Sequence, residues 1–396
     1  MAELRWGILS TGHIARTFAT QLGPSESGSL TAVGSRTRAS AARFANDFGG
    51  AGAYGSYEAL LGADDVDAVY IASPHPQHVE WAIKAVQAGK HVLCEKPMGI
   101  NHAEVMALVD AAQAEGVFLM EAFMYRVHPQ TERLRELLAQ EVIGEVRHIR
   151  ASFGFQAPFN AESRIFRNDL AGGAIMDVGC YTVSTARMVA GAGTQAGFLD
   201  PDAVAAHGHV EDGVDRWSAA LLQFPNGVSA QVTTSCSLAL DNELEIYGSR
   251  GRILVPSPWF CGGGREGGTW EIQVLRPGQE AEVVRVDEPR GLFTIEADRM
   301  AAEIAAGRRE CAAMTWADSL GNARTLDAWR REVGLAFEVE APDNWTHTVT
   351  RRPLARHTHH PMRYGDVPGV DKPISRLVMG CDNQTEMPQA SVMFDH

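Results

Sequence analysis

No stretch of this chain stays apolar for the roughly 20 residues that a membrane-spanning helix needs, so no membrane partner is expected. A basic block is also missing. The chain has 35 Lys and Arg against 49 Asp and Glu, a net charge of −14. That balance argues against nucleic acid and anionic membrane surfaces as partners. The opening "MAELRWGIL" lacks the charged-then-apolar layout of a secretion signal. Cysteine is scarce, with six in 396 residues and no C-x-x-C pair. A disulfide framework is therefore not expected, and reduced thiols in a cytoplasmic protein are. The cluster "HTHH" (His357–His360) has no spaced acidic or cysteine partner, so no metal is expected. Internal repeats and low-complexity tracts are absent.

What is present reads as two domains and a tail. A length of 396 residues exceeds one ordinary core. Residues 1–125 alternate strand-like and helix-like segments. Strands are expected at "LRWGIL", "LTAVGS", "DAVYIAS", "HVLCE" and "VFLME", each followed or preceded by a helical pattern such as "PQHVEWAIKAVQAGK". Such alternation predicts an α/β domain, a parallel sheet covered by helices on both faces. Over 126–340 the pattern becomes β-rich and turn-separated, with "FPNGVS" as a hairpin signal and helices returning near 295–306 and 315–337. This predicts a second, mainly antiparallel or mixed sheet. Residues 341–369, rich in Pro, His and Arg, read as an extended linker, and 370–396 as a tail.

The first strand–helix turn, "GILSTGHIA", carries most of a dinucleotide fingerprint. Ser10, Thr11, Gly12, His13 and Ile14 lie where the glycine-rich turn would meet a pyrophosphate at a helix N-terminus. Serine replaces the first glycine, Gly12 keeps the close-approach position, and Ala15 suits helix–strand packing. The second strand ends in "GSRTRAS". No carboxylate is there to hold the ribose 2′-hydroxyl of NAD. Ser35, Arg36 and Arg38 suit a 2′-phosphate, so NADP is the preferred cofactor and NAD the alternative.

The stretch "VLCEKPMGI" places a lysine at the exit of an apolar strand, where open α/β sheets bind their ligands. Pro97 disfavours the helical region at Lys96 and keeps that residue extended. With "EKP", "IASPHPQH", "MEAFMYRVHP" and "LAGGAIMDVGCY", the chain resembles the Gfo/Idh/MocA oxidoreductases, in particular the dimeric dihydrodiol dehydrogenase and D-xylose dehydrogenase branch. The resemblance covers residues 3–340. It implies a Rossmann doubly wound parallel sheet, then a C-terminal α/β domain with a large open-faced sheet used for substrate binding and oligomerisation. It places Lys96 beside the nicotinamide, maps a motif aspartate onto Asp177 and its acid–base residue onto Tyr181, and suggests a cis Lys-Pro bond. The tail "GVDKPISRLVMG" resembles instead the opening of an aldo-keto reductase. It is too short for a barrel of about 250 residues.

These residues make chemical sense together. A secondary alcohol that gives up a hydride must also lose a proton. A tyrosine is a poor base at neutral pH unless an ammonium favours its charged form. Tyr181 is therefore expected to be the acid–base residue, Lys96 to tune it and polarise the substrate oxygen, and Asp177 to orient a substrate hydroxyl. The rival assignment makes Lys96 the proton donor. Glu95 is a candidate for the nicotinamide ribose. Ser73, Pro74, His75 and His78 lie at a strand exit near the expected cofactor, although His78 also reads as a helix-start residue. Arg126 and Arg167 are candidates for substrate or cofactor contacts, with ion pairing inside the domain as the other reading. The expected function is oxidation or reduction of a carbohydrate, polyol or trans-dihydrodiol in a homodimer or higher oligomer. A glycosidase with internally recycled NAD and a non-catalytic dinucleotide sensor are the alternatives.

Overall fold

Leu4–Leu9 (β1) is a buried apolar strand, and Gly12 starts the helix after it, His13–Leu22 (α1). The unit repeats through Gly28–Gly34 (β2), Arg38–Asp47 (α2), Gly52–Tyr54 (β3), Tyr57–Leu61 (α3), Ala68–Ile71 (β4), His78–Gln87 (α4), His91–Glu95 (β5), His102–Glu115 (α5) and Leu119–Ala122 (β6). The six strands are parallel in the order β3-β2-β1-β4-β5-β6. That is the order of dinucleotide-binding sheets, with its reversal between β1 and β4. The structure, a computed structural model, describes residues 3–260 and 266–341 and two short strands, Tyr364–Gly365 and Ile374–Ser375, which pair antiparallel. The rest of the expected linker and tail lies outside the described residues.

The second half continues with Pro129–Ala139 (α6) and Val146–Gly154 (β7). A π-helical turn, Ile175–Gly179, runs directly into Cys180–Ala190 (α7). Then come Ala203–Glu211 (β8), Val214–Gln223 (β9), Ser229–Ser235 (β10), Glu243–Gly248 (β11), Arg252–Pro256 (β12), Gly268–Leu275 (β13), Glu282–Glu288 (β14), Leu292–Ala305 (α8) and Trp316–Glu332 (α9). The eight strands form one sheet, β14-β13-β12-β11-β7-β10-β9-β8. Only β7 and β10 are parallel neighbours. The expected Asn226-Gly227 hairpin joins β9 to β10, with Gly227 at φ +83°.

Side-chain parity explains the packing. Along β5, Val92 and Cys94 join the apolar cluster on one face of the parallel sheet, and Leu93 joins the cluster on the other. Burial on both faces is why these strands read as unbroken apolar runs. The same alternation turns Glu95 toward the Leu93 side. That face is covered by α1 and α8: Phe18 stacks on Tyr70 with centroids 3.9 Å apart and meets Phe293 edge-on at 6.3 Å. A helix from the C-terminal half thus completes the N-terminal core. In the second sheet Ile149, Ala151 and Phe153 point into a core shared with α6, α7 and α9. On the opposite face Leu221 of β9 is 58% exposed among the described residues.

In the two large sheets, two strands had no counterpart in the sequence reading. β3 is a Gly-Ala-Tyr triplet, too short to leave a periodic signal. β8 reads "AVAAHGHVE" and lies at the sheet edge, exposed at every second residue. Small and polar side chains suffice at such an edge, so no bulky apolar run marks it. Among the described residues no helix is long and apolar enough to cross a membrane.

Candidate active site

The exits of β1, β2 and β4 converge where the strand order reverses. Ser10 leaves β1 at φ +102°, and its amide donates to Gly34 O of β2 at 3.0 Å. Serine tolerates at that φ what glycine would adopt without strain. Gly12 has an ordinary φ of −73°, and a Cβ there would meet only Ser10 Oγ, at 3.8 Å. The protein itself therefore does not demand glycine, whereas a ligand approaching the backbone would. Among the described residues no side chain caps α1, so its first-turn N–H groups are left for an anion. Thr11 and Ile14 are half-buried beside the turn, and His13 is exposed. At the end of β2, Ser35 is buried and Arg36 and Arg38 are exposed, while Thr37 caps α2 through Ser40 N. After β4, beside Pro74, the Ser73 hydroxyl is buried and, among the described residues, has no hydrogen-bond partner. A buried hydroxyl without a partner is uncommon. With the open helix start and the empty flank of Gly12, it fits a bound dinucleotide.

Lys96 follows β5 and forms a cis bond to Pro97. Its Nζ donates to the Asp177 carbonyl at 2.8 Å, lies 3.7 Å from Asp177 Oδ1 and sits 5.1 Å from the Tyr181 ring centroid. Asp177 belongs to the π-helical turn and Tyr181 to the first turn of α7, so the pair does not share one regular helix as expected. The two residues nevertheless meet around the Lys96 ammonium. Tyr181 is buried among Phe123, Tyr125 and Phe153, with ring centroids 5.1, 5.7 and 5.3 Å away, and its hydroxyl donates to Met124 Sδ at 3.5 Å. Burial alone would raise the Asp177 carboxyl. Arg164, then Lys96 and His75, outweigh it and hold the group well below the usual carboxylate range. Asp177 is therefore ionised throughout the neutral range. Glu95 is buried and accepts a hydrogen bond from the Tyr70 hydroxyl at Oε1.

For the two candidate arginines the structure shows the ion pairs of the second reading. Arg126 is buried, bonded to Asp318 Oδ2 at 2.5 Å and Ser184 Oγ at 2.9 Å. It ties the 3₁₀ turn Met124–Val127 to α9 inside the domain. Arg167 pairs with its near neighbour Asp169. The arginine at the site is Arg164, whose Nη2 lies 2.8 Å from Asp177 Oδ1. Both candidate histidines are also turned inward. His75 Nδ1 donates to Ala171 O at 3.1 Å, and the His78 ring nitrogens lie against the Pro97 and Ser73 carbonyls.

A second unexpected residue supports the π-helical turn. Asp215 on β9 accepts from Ile175 N at 2.8 Å, and a Cβ on Gly173 (φ +107°) would lie 2.1 Å from Asp215 Oδ1. Burial pushes this carboxyl up to about 8, against the pull of the backbone amides. A folded-state value above the unfolded one means that stability falls as pH rises from about 4 towards about 8. Asp215→Asn, which does not titrate, should flatten that fall in Tm. Asp215→Leu should strand the Ile175 amide and cost about 1–3 kcal/mol in chemical denaturation.

Residues 4–123 match the oxidoreductase family with an NAD-binding Rossmann fold, and residues 131–254 match the GFO/IDH/MocA C-terminal domain. A trans-1,2-dihydrobenzene-1,2-diol dehydrogenase from Xenopus laevis is 34% identical over 84% of this chain and 99% of its own length. The chain belongs to the GFO/IDH/MocA oxidoreductase family. Within that family, the D-xylose 1-dehydrogenase (NADP(+)) 2 of Haloferax volcanii is 39% identical over 63% of this chain and 75% of its own length. The structure of KijD10, a 3-ketoreductase from Actinomadura kijaniata in complex with NADP and TDP-benzene, is 30% identical, covers 84% of this chain and 98% of that one, and superposes with a TM-score of 0.74. The family and fold read from the sequence are thereby borne out, and this member is an NAD(P)-dependent dehydrogenase.

Proposed function

We propose that this enzyme prefers NADP and acts on a secondary or anomeric alcohol of a sugar, polyol or trans-dihydrodiol. The placement of the Lys96 ammonium between Asp177 and the Tyr181 ring carries this reading. A bound nicotinamide supplies the hydride acceptor or donor. The chain's own residues handle the proton. Tyr181 takes it from the alcohol hydroxyl, and the Lys96 ammonium steadies the resulting negative charge and polarises the substrate oxygen. The ionised Asp177, fixed by Arg164, orients a second substrate hydroxyl. The names of the similar dihydrodiol and D-xylose dehydrogenases support the substrate class. Steady-state reduction of NADP and NAD across aldoses, inositols and trans-diols tests it. No turnover with any of them would overturn it.

Support for NADP comes from the exposed Arg36 beside the buried Ser35. Arg36→Ala should raise KM for NADP about 10- to 100-fold, the worth of a lost charge-assisted hydrogen bond, and leave KM for NAD nearly unchanged. Equal effects on both cofactors would remove Arg36 from the 2′-phosphate site. The outer sheet face, with Leu221 and Val283 exposed among the described residues, supports a homodimer through that face. Leu221→Arg should then shift the sedimenting species to monomer. The buried free thiols Cys94, Cys180, Cys236 and Cys311 support a reducing, cytoplasmic setting.

A further inference from the structure

Two buried ionisable side chains meet one peptide group next to Lys96. His78, at the start of α4, has Nδ1 2.8 Å from Pro97 O. Its Nε2 lies 2.8 Å from Ser73 O, a second carbonyl, so the ring sits between the Lys-Pro loop and the exit of β4. On the other edge of the same amide, Met98 N–H donates to Glu121 Oε1 at 2.9 Å. Glu121 is on β6 and is buried. The carbonyl and N–H of an amide point in opposite directions. Two such contacts therefore fix both edges of the Pro97–Met98 peptide plane. Lys96 hangs one residue upstream, and its Nζ must reach Asp177 and Tyr181 from there.

We propose that Glu121 and His78 are positioning residues, which set the reach of Lys96 by gripping the Pro97–Met98 amide from its two edges. The inference rests on the role given to Lys96 above. It makes the grip proton-dependent on the Glu121 side. Burial pushes the Glu121 carboxyl up to about 7; Ser319 and Met98 N–H pull against this, Asp318 adds to it and Arg187 opposes it. The Cys94 and Cys180 thiols also face it. His78 is faced by Lys96, Arg164 and His75, the last with ring centroids 5.6 Å apart, and burial lowers it to about 4. The ring is therefore neutral across the working range, and its single N–H, placed on Nδ1 in this proposal, donates to Pro97 O; Glu121 is the group that changes. As a carboxylate it receives a charge-assisted bond from Met98 N–H, and as an acid only a neutral one. The grip should tighten, and kcat should rise, as pH increases through about 7.

The test is kcat and KM from about pH 5.5 to about 9 for wild type, Glu121→Gln, Glu121→Leu, His78→Leu and Lys96→Met. Glu121→Leu should lower kcat about 30-fold with KM values within about 3-fold, the pattern of a displaced reacting group. His78→Leu should do the same. Glu121→Gln keeps an acceptor, so it should recover most of the loss and lack the wild-type inflection near 7. Wild-type kcat in Glu121→Leu, or an unmoved inflection in Glu121→Gln, overturns the inference. Should circular dichroism show that Glu121→Leu fails to fold, the Glu121→Gln profile still decides. Wild-type activity in Lys96→Met would instead bring down the proposed function. A dead Lys96→Met beside wild-type-like Glu121 variants would bring down this inference alone.

Discussion

Replacing Lys96 with methionine should lower kcat/KM by about three orders of magnitude or more, with the fold intact. Methionine keeps the length and apolar stem of lysine and removes only the ammonium. That ammonium is the group that touches the Asp177 carbonyl, approaches Asp177 Oδ1 and overlies the Tyr181 ring. Asp177 would not be left as an unpaired buried charge, because Arg164 stays 2.8 Å from its Oδ1. The structural cost is then one carbonyl without its donor, about 1–3 kcal/mol. A loss of activity far larger than the loss of stability, measured by steady-state kinetics beside thermal unfolding, would place the ammonium in the chemistry. Arg at this position should not restore activity. A planar guanidinium presents its charge over a wider front than a compact ammonium does.

The reasons some of this was legible in the sequence are physical. Lys96 announces itself because a charge at the exit of a doubly buried strand has to go to a cleft, and the strand's apolar run is visible in one dimension. The βα alternation fixed which end of the sheet that cleft occupies. Asp177 and Tyr181 lie close in sequence, so their common neighbourhood was predictable even though a π-helical turn replaced the regular helix. Arg164 and Arg167 differ only in how a loop folds back, and nothing local separates them. Arg126 finds Asp318 across 192 residues, a pairing that depends on α9 docking. His78 reads as the start of a helix, which it is, but the carbonyls that claim its ring arrive from two separate loops. Asp215 supports its turn from β9, 40 residues further along the chain. The sequence thus exposes chemistry carried by local patterns, while residues whose role is to brace that chemistry emerge only with the tertiary contacts.

Tyr181→Phe should cut kcat by about 10²- to 10⁴-fold while leaving the fold and cofactor affinity nearly unchanged. The ring itself is what packs against Phe123, Tyr125 and Phe153, and phenylalanine preserves those contacts. The hydroxyl donates to Met124 Sδ at 3.5 Å, and a thioether is a weak acceptor. Its removal should therefore change Tm little, so a kinetic loss reports on the proton. The pH profile separates the two candidate donors. Asp177 is held ionised well below neutrality and contributes no inflection there. If Tyr181 is the base, kcat/KM for alcohol oxidation rises with pH in the Glu121→Gln background, which lacks the Glu121 inflection, and that limb vanishes when Tyr181→Phe is added. If Lys96 exchanges the proton itself, the limb survives in Tyr181→Phe at reduced height and vanishes only in Lys96→Met. The two variants read on one substrate thus assign the proton to one side chain, because they delete different atoms from a cluster whose carboxylate stays charged in both.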